Sequence, residues 1–351
     1  MRLQLLSLFC GAGGLDEGFR RAGFTTSLAI DNCKDAVRTF NHNAESPSAI
    51  AADLIHLSPK EFLKLLPSRC TPIGLIGGPP CQGFSRANVL ADANDPRNNL
   101  PFRYAAILKA ANQAHRLHFF VFENVAGLLG QKHAGRLKQI LSRLADAGFN
   151  VFTGDLDART FGVPQRRRRL FLVGLNKQLY PKQTFVFPEG TGGDERTVAH
   201  AIRGLPAPAF FARDLTTDAI PYHPNHWTMK PKSRKFTSGA TGDGRSFKRL
   251  KWNEVSATVA YGNREIHVHP DGGRRLSVYE AMLLQGFPND YELTGTLSAQ
   301  VTQVSNAVPP PVAEAIARSI RNLVDAKKAT FASRHLVGNV LTATNWKRDT
   351  R

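Results

Sequence analysis

No apolar run in this chain approaches the roughly 20 residues that a bilayer requires, so no transmembrane helix is expected and membrane functions drop out. Cysteine is scarce: four among 351 residues, at 10, 33, 70 and 81. Their spacing shows neither paired metal ligands nor the dense framework of a small secreted domain. No metal site is expected, and a reducing, cytoplasmic setting is. The start, Met1 to Cys10, resembles a lipoprotein leader only loosely, because it carries one positive charge and has bulky Phe9 before the cysteine. Acidic residues are also short, 28 Asp+Glu against 46 Lys+Arg for a net charge of +18. Residues 1–158 hold 17 basic and 13 acidic residues (+4), leaving 29 and 15 (+14) for 159–351. A chain that is basic mainly in one half predicts a polyanionic partner, with nucleic acid ahead of a membrane surface.

The chemistry concentrates in Gly77–Ser85, Gly-Gly-Pro-Pro-Cys-Gln-Gly-Phe-Ser. It follows an apolar run, 73–76, that reads as a short buried strand. Cys81 is therefore expected on the loop beyond the strand's carboxyl edge, where open α/β sheets bind ligands. Pro79 and Pro80 stiffen the backbone before the thiol, unlike the surroundings of an ordinary buried cysteine. An incidental cysteine in a tight turn is the simpler alternative.

Residues 3–9 read as a first strand ending in Phe9-Cys10-Gly11-Ala12-Gly13-Gly14, and 15–22 as a helix stopped by Gly23. Strand, glycine turn and helix open a nucleotide-type α/β fold, although Gly-x-Gly-Gly is not the dinucleotide fingerprint. Strand 25–30 leads to Asp31, placed for a ribose diol or equally for a helix N-cap. Strand 50–52 leads to Asp53. Residues 86–101 are polar and predict a mobile loop before helix 102–115. Strand 119–122 delivers Glu123, and 135–147 is an amphipathic helix. Gln165-Arg166-Arg167-Arg168-Arg169 runs into apolar 170–173, so alternate arginines can point inward together; a solvated basic edge strand is the alternative. Between Asn225 and Lys251, eight Lys/Arg face only Asp243, with Trp227, Phe236, Phe247 and Trp252 interleaved. That mixture fits phosphate contact and groove readout. Ser277 to Glu280 has capping-box spacing; a last helix is expected over 312–325, and the tail 329–351 is weakly patterned and expected to be partly disordered.

Together, Phe9–Gly14, Gly77–Ser85, Glu123–Val125, Gln165–Arg169, Arg274–Pro288 and Gln303–Val312 resemble, in order, the motifs of the C5-cytosine DNA methyltransferases, over about residues 3–320. The resemblance implies an α/β, Rossmann-like catalytic domain, 1–180 with 300–328, that binds S-adenosyl-L-methionine. It implies a smaller, irregular β-rich target-recognition domain, 181–290 including the hinge, inserted into it, with duplex DNA between the two and 329–351 as a tail. By the resemblance, Phe9, Gly11, Ala12, Gly13, Gly14, Asp31, Asn32, Asp53, Leu54, Pro79, Leu100, Asn306 and Ala307 form the cofactor pocket. Asp31 takes the ribose and Asp53 the adenine amino group. Asn32 stands where the family often has a large apolar group on the adenine face, and Ser305 replaces a glycine.

The same resemblance implies that the Cys81 thiolate adds to cytosine C6 while protonated Glu123 donates to N3. Arg169 bonds O2, and Arg167 favours the thiolate and holds the carboxyl. Because the target atom is stacked inside a duplex, the base must be flipped out, with 85–99 as a lid. DNA contacts are expected from Gln82, Ser85 and Arg86 and from Lys232, Arg234, Lys235, Arg245, Lys248 and Arg249. A monomer is expected, functionally paired with a restriction endonuclease but not bound to it. Alternatives are a tRNA cytosine-C5 methyltransferase, a catalytically silent DNA-binding relative and, less well matched, a dinucleotide oxidoreductase.

Overall fold

The computed structural model describes residues 3–80, 95–190, 193, 195–231, 247–258 and 267–344, with side chains through 329. Short apolar runs alternate with helices through the first half, the pattern of a parallel sheet covered on both faces. In chain order the elements are β1 (Leu3–Leu8), α1 (Gly14–Arg21), β2 (Phe24–Asp31), α2 (Lys34–Asn43), β3 (Ala49–Ala51), α3 (Pro59–Lys64), β4 (Gly74–Gly77), α4 (Leu100–His115), β5 (Phe119–Val125), α5 (Ala134–Asp146), β6 (Phe149–Asp157) and β7 (Arg168–Asn176). Then come α6 (Val198–Ile202), β8 (Ala209–Phe210), β9 (Trp227–Thr228), β10 (Lys248–Arg249), β11 (His267–Val268), α7 (Val278–Leu284), α8 (Leu297–Asn306) and α9 (Pro310–Thr344).

Among the described residues, seven strands form one sheet in the order β3-β2-β1-β4-β5-β7-β6. The first five strands pair in parallel, and β7 runs antiparallel between β5 and β6. Successive connections lead outward in opposite directions from neighbouring β1 and β4, where Leu8 lies opposite Gly77. Ligands of open α/β sheets bind at such a switch point, beyond the carboxyl ends of the strands. The glycine turn and the loop towards Cys81 both leave from it.

β1 is apolar on both sides. Leu3 and Leu5 pack with α1 and α9, while Leu6 and Leu8 join the cluster of α3, α4 and α5. Tyr104 in α4 is fully buried, and its hydroxyl lies 2.9 Å from the Val121 carbonyl and 3.1 Å from that of Leu75. One helix thus ties down the two strands that carry the candidate catalytic groups. A third cluster joins Val198, Ile202, Trp227, Leu250, Leu276, Met282, Leu284 and Leu293 to Val304, Ala307 and Ala12.

Strands β1 to β4 lie within a residue or two of the positions expected, and β5 runs past the expected end at 122 to Val125. Helix α4 begins at Leu100 rather than 102, because Pro101 sits in the first turn, where no backbone N–H is needed. A 3-10 turn, Pro96–Asn99, capped by Asp95, occupies part of the expected loop. The strand β6 and the helices α2, α3 and α8 go beyond the expectation. The tail also differs: α9 continues to Thr344, since residues 326–337 contain no glycine or proline to stop it. In the basic segment, regular pairing among the described residues is confined to two-residue strands, β8 with β9 and β10 with β11.

Asp16 in α1 is buried, accepting hydrogen bonds from Ser7 Oγ (2.9 Å) and Thr26 Oγ1 (2.8 Å). Burial pushes its carboxyl up to about 7, and the two hydroxyls only partly offset that. A folded-state value above the unfolded one, about 3.9, means that the ionised form is penalised on folding. The penalty is absent below about pH 4 and complete above about pH 7, so this group's contribution to stability falls as pH rises through that window. Asp16→Asn is expected to gain stability relative to the wild type between pH 5 and pH 8, read as denaturant midpoints. An identical difference at both pH values would refute the assignment.

Candidate active site

Strand geometry brings the first pair together. Phe171 is the partner of Glu123 and Arg169 the partner of Val125 across the antiparallel β5–β7 ladder. Glu123 and Arg169 are therefore diagonal neighbours on one face, and Arg169 Nε lies 3.1 Å from Glu123 Oε1. Burial raises the Glu123 carboxyl above its ordinary range, against the opposing pull of the Arg169 and Arg167 charges. Inward and outward arginines alternate, as a strand requires: Arg166 and Arg168 are exposed, Arg167 is buried and Arg169 is largely covered.

The loop towards Cys81 is fastened to the same place. Asn124 Nδ2 donates to the Pro79 carbonyl at 3.1 Å. Gly78 lies under the carboxyl, where an added Cβ would come within 2.8 Å of Glu123 Oε2. Cys81 itself lies outside the described residues. Arg167 takes a different position from the one expected. Its Nη2 donates to the carbonyls of Ser305 (2.9 Å) and Ala307 (3.0 Å), so the ion pair with Glu123 belongs to Arg169.

On the cofactor side, Asp31 ends β2 and reaches back to the glycine turn. Its Oδ2 accepts from Gly11 N at 2.9 Å and its Oδ1 from Cys33 N at 2.8 Å. Burial raises its carboxyl too, while these backbone bonds oppose the rise. Cys33, not Asp31, occupies the N-cap position of α2. Phe9 and Gly11 have positive φ, and a Cβ on Gly11 would meet nothing within 4 Å. Gly13 and Gly14 are enclosed by protein instead. A Cβ on Gly13 would come within 2.7 Å of the Tyr291 hydroxyl, and one on Gly14 would strike the Val308 carbonyl. Tyr291 also donates to the Ala12 carbonyl. Asp53 is exposed at the end of β3, with its Oδ1 accepting from Ile55 N at 2.8 Å. Asn32 is exposed, whereas Leu54, Pro79, Leu100 and Ala307 are buried and Asn306 is exposed beside Ala307.

Of the expected DNA contacts, Lys248 and Arg249 are exposed on β10, where Arg249 Nε donates to the Pro270 carbonyl at 2.6 Å. Gln82, Ser85, Arg86, Lys232, Arg234, Lys235 and Arg245 lie outside the described residues, as do Phe236 and most of the expected lid. Trp227 is no surface contact: it is buried, and its Nε1 donates to Gln300 Oε1 at 2.9 Å. Trp252 borders a hollow of about 580 Å³ that also touches Phe210, His269 and Arg274. The Arg203 guanidinium lies 5.0 Å from its ring centroid.

A family model of the C-5 cytosine-specific DNA methylases matches residues 3–322. The chain belongs to that family. It is 34% identical over 346 residues to the type II methyltransferase M.MthTI of Methanothermobacter thermautotrophicus, covering 92% of this chain and 98% of that one. It is 32% identical over 353 residues to M.FnuDI of Fusobacterium nucleatum, covering 93% and 96%. A solved structure described as a DNA modification methyltransferase of an E. coli prophage superposes with a TM-score of 0.73 at 25% identity, covering 92% and 99%. The S. pombe Dnmt2 methyltransferase shares the fold, with a TM-score of 0.64 at 17% identity, covering 92% and 100%.

For a C-5 cytosine methylase the methyl donor is S-adenosyl-L-methionine, and the turn fits it. Gly11 opens onto free space, and each Asp31 oxygen spends one lone pair on a backbone N–H and keeps capacity for a hydroxyl. Asn124 and Tyr291 are the residues of this methylase's site whose roles sequence reasoning passed over, and Gly78, which it read only as room for close backbone approach, proves to lie under the carboxyl. Asn124 and Gly78 lay inside recognised motifs, but Tyr291 stands 279 positions from the Ala12 carbonyl that it holds, and no local pattern announces it.

Proposed function

We propose that this methylase transfers a methyl group to C5 of one cytosine within a short, specific duplex DNA sequence. The observation that carries the reading is the buried Glu123 carboxyl, paired with Arg169 and resting on Gly78, three residues before Cys81. When bound, S-adenosylmethionine supplies an electrophilic methyl group on a sulfonium; Phe9, Gly11, Asp31 and Asp53 hold it, with Leu54, Pro79, Leu100 and Asn306–Ala307 around them. Cytosine C5 is a weak nucleophile, and the remaining work belongs to side chains. The Cys81 thiolate adds to C6 as Glu123 gives its proton to N3, which turns C5 into an enamine carbon. C5 then takes the methyl carbon, whose bond to the sulfonium sulfur breaks and leaves its electron pair on sulfur. Arg169 bonds the cytosine O2 and keeps the carboxyl in place. Loss of the C5 proton to a base lets Cys81 leave as the free thiolate, and the N3 proton returns to Glu123.

Residues 181–290 form the recognition unit in this reading. An apolar cluster centred on it supports that, although the cluster also takes in Ala12, Val304 and Ala307 and Phe185 packs with the sheet core. Lys248, Arg249 and the other basic side chains engage phosphates and groove edges. The enzyme acts as a monomer in the cytoplasm, at the nucleoid, and protects DNA from a restriction endonuclease with which it forms no complex; the type II relatives support this setting. Bisulfite sequencing of a plasmid from cells expressing the protein tests the proposal. Protection of one cytosine in one short sequence is expected, and uniform conversion at every site overturns it.

A further inference from the structure

We infer that Gln285 is a positioning residue for the catalytic pair: its amide fixes the carbonyls that seat Arg167, and through Arg167 it sets where Arg169 stands against Glu123. The inference rests on the catalytic roles proposed above for Glu123 and Arg169. Gln285 is the C-cap residue of α7 and is completely buried. Its Nε2 donates to the Val304 carbonyl at 2.6 Å and the Ala307 carbonyl at 3.3 Å. Two carbonyl oxygens face the group, so only the donor side of an amide fits there. Its Oε1 is buried with no hydrogen-bond partner among the described residues, which costs stability.

Ala307 O is the junction. It accepts from Gln285 on one side and from Arg167 Nη2 at 3.0 Å on the other, while Arg167 also reaches Ser305 O. Arg167 is a buried cation whose seat is made of these carbonyls rather than a carboxylate, and its Nε has no partner among the described residues. Displacing the carbonyls leaves that charge without its seat, so it must shift. It stands two residues ahead of Arg169, at the entrance to β7. The other end of α7 is anchored by Glu280, which pairs with Arg274 at 2.7–2.8 Å. The relay therefore runs from the recognition side to the acid.

Gln285→Met keeps the length and apolar volume of the side chain but cannot donate. Its kcat is expected to fall about 10–100-fold, as for a misplacement near 1 Å, with the KM for DNA and the cofactor affinity by calorimetry within about threefold. The charged groups facing Glu123 among the described residues are Arg169 and Arg167 from β7 and its approach; the Gly78–Pro79 turn and the flanking residues of β5 add none. Besides these stands the Cys81 thiolate of the proposed mechanism. If the arginines retreat, Glu123 keeps its proton to higher pH, and the descending limb of the kcat profile moves upward. Gln285→Glu draws Arg167 towards the new carboxylate and should lose at least as much kcat.

A fall in kcat with the limb unmoved makes Gln285 a packing residue and overturns the inference. If Glu123→Gln retains the wild-type limb, the proposed acid fails instead. The inference is then judged by a double-mutant cycle of Gln285→Met with Arg167→Lys. Non-additive losses in kcat uphold it and additive ones overturn it.

Discussion

Glu123→Gln is expected to lower kcat by about 10²–10⁴-fold, the share usually carried by a positioned acid, with DNA and cofactor affinity changed only a few-fold. Glutamine keeps the shape, can still lie over Gly78 and can still accept from Arg169, but it has no proton to give to N3. The pH dependence follows from the direction of the shift. Burial raises the Glu123 carboxyl above its ordinary range while Arg169 and Arg167 draw it back. The group works in its protonated form, so activity is present below the folded-state value and declines as pH rises through it. The variant's residual activity should lack that decline. Single-turnover transfer of tritiated methyl across pH makes both measurements, and turnover within a few-fold of the wild type would remove Glu123 from the acid's role.

The second large effect is expected at Cys81. Cys81→Ser should lose turnover by roughly 10³-fold or more while still binding its DNA sequence, because a serine hydroxyl is scarcely ionised near neutral pH. A thiol is far easier to ionise. Trapping on 5-fluorocytosine DNA gives the complementary measurement, since the fluorine cannot leave as a proton does and the covalent adduct persists. The wild type is expected to form a denaturation-resistant complex and the serine variant none. Comparable turnover by serine would reject the nucleophile, and no adduct with the wild type would favour a silent DNA-binding relative.

Local signals made much of this site legible. Leu3–Leu8, the glycine turn, Asp31 and the apolar runs before Gly77 and Glu123 could be read because each strand of a parallel sheet is buried on both faces and shows a continuous apolar run. The alternation of Arg166 to Arg169 followed from the pleat alone. β6, Phe-Asn-Val-Phe-Thr-Gly-Asp-Leu-Asp, did not show itself because an edge strand is paired on one side and mixes polar with apolar residues. α3 had a readable sign in its Ser58–Glu61 capping box, both arms of which are formed. What no local pattern could show was contact between distant parts: Arg167 with the carbonyls of 305 and 307, or Tyr291 against Ala12. Composition marked Trp227 as a DNA-facing aromatic, and burial against Gln300 decided otherwise.

The sealing of the glycine turn by Tyr291 and Val308 has a consequence for biosynthesis. Helix α1 is also packed by α9: the Gly18 position is closed by Pro310 and Ala313. The segment that holds α1 therefore finds its final neighbours only after Tyr291, Pro310 and Ala313 have left the ribosome. Until then α1 has an open flank, and its maturation is timed by the synthesis of residues far downstream rather than by its own.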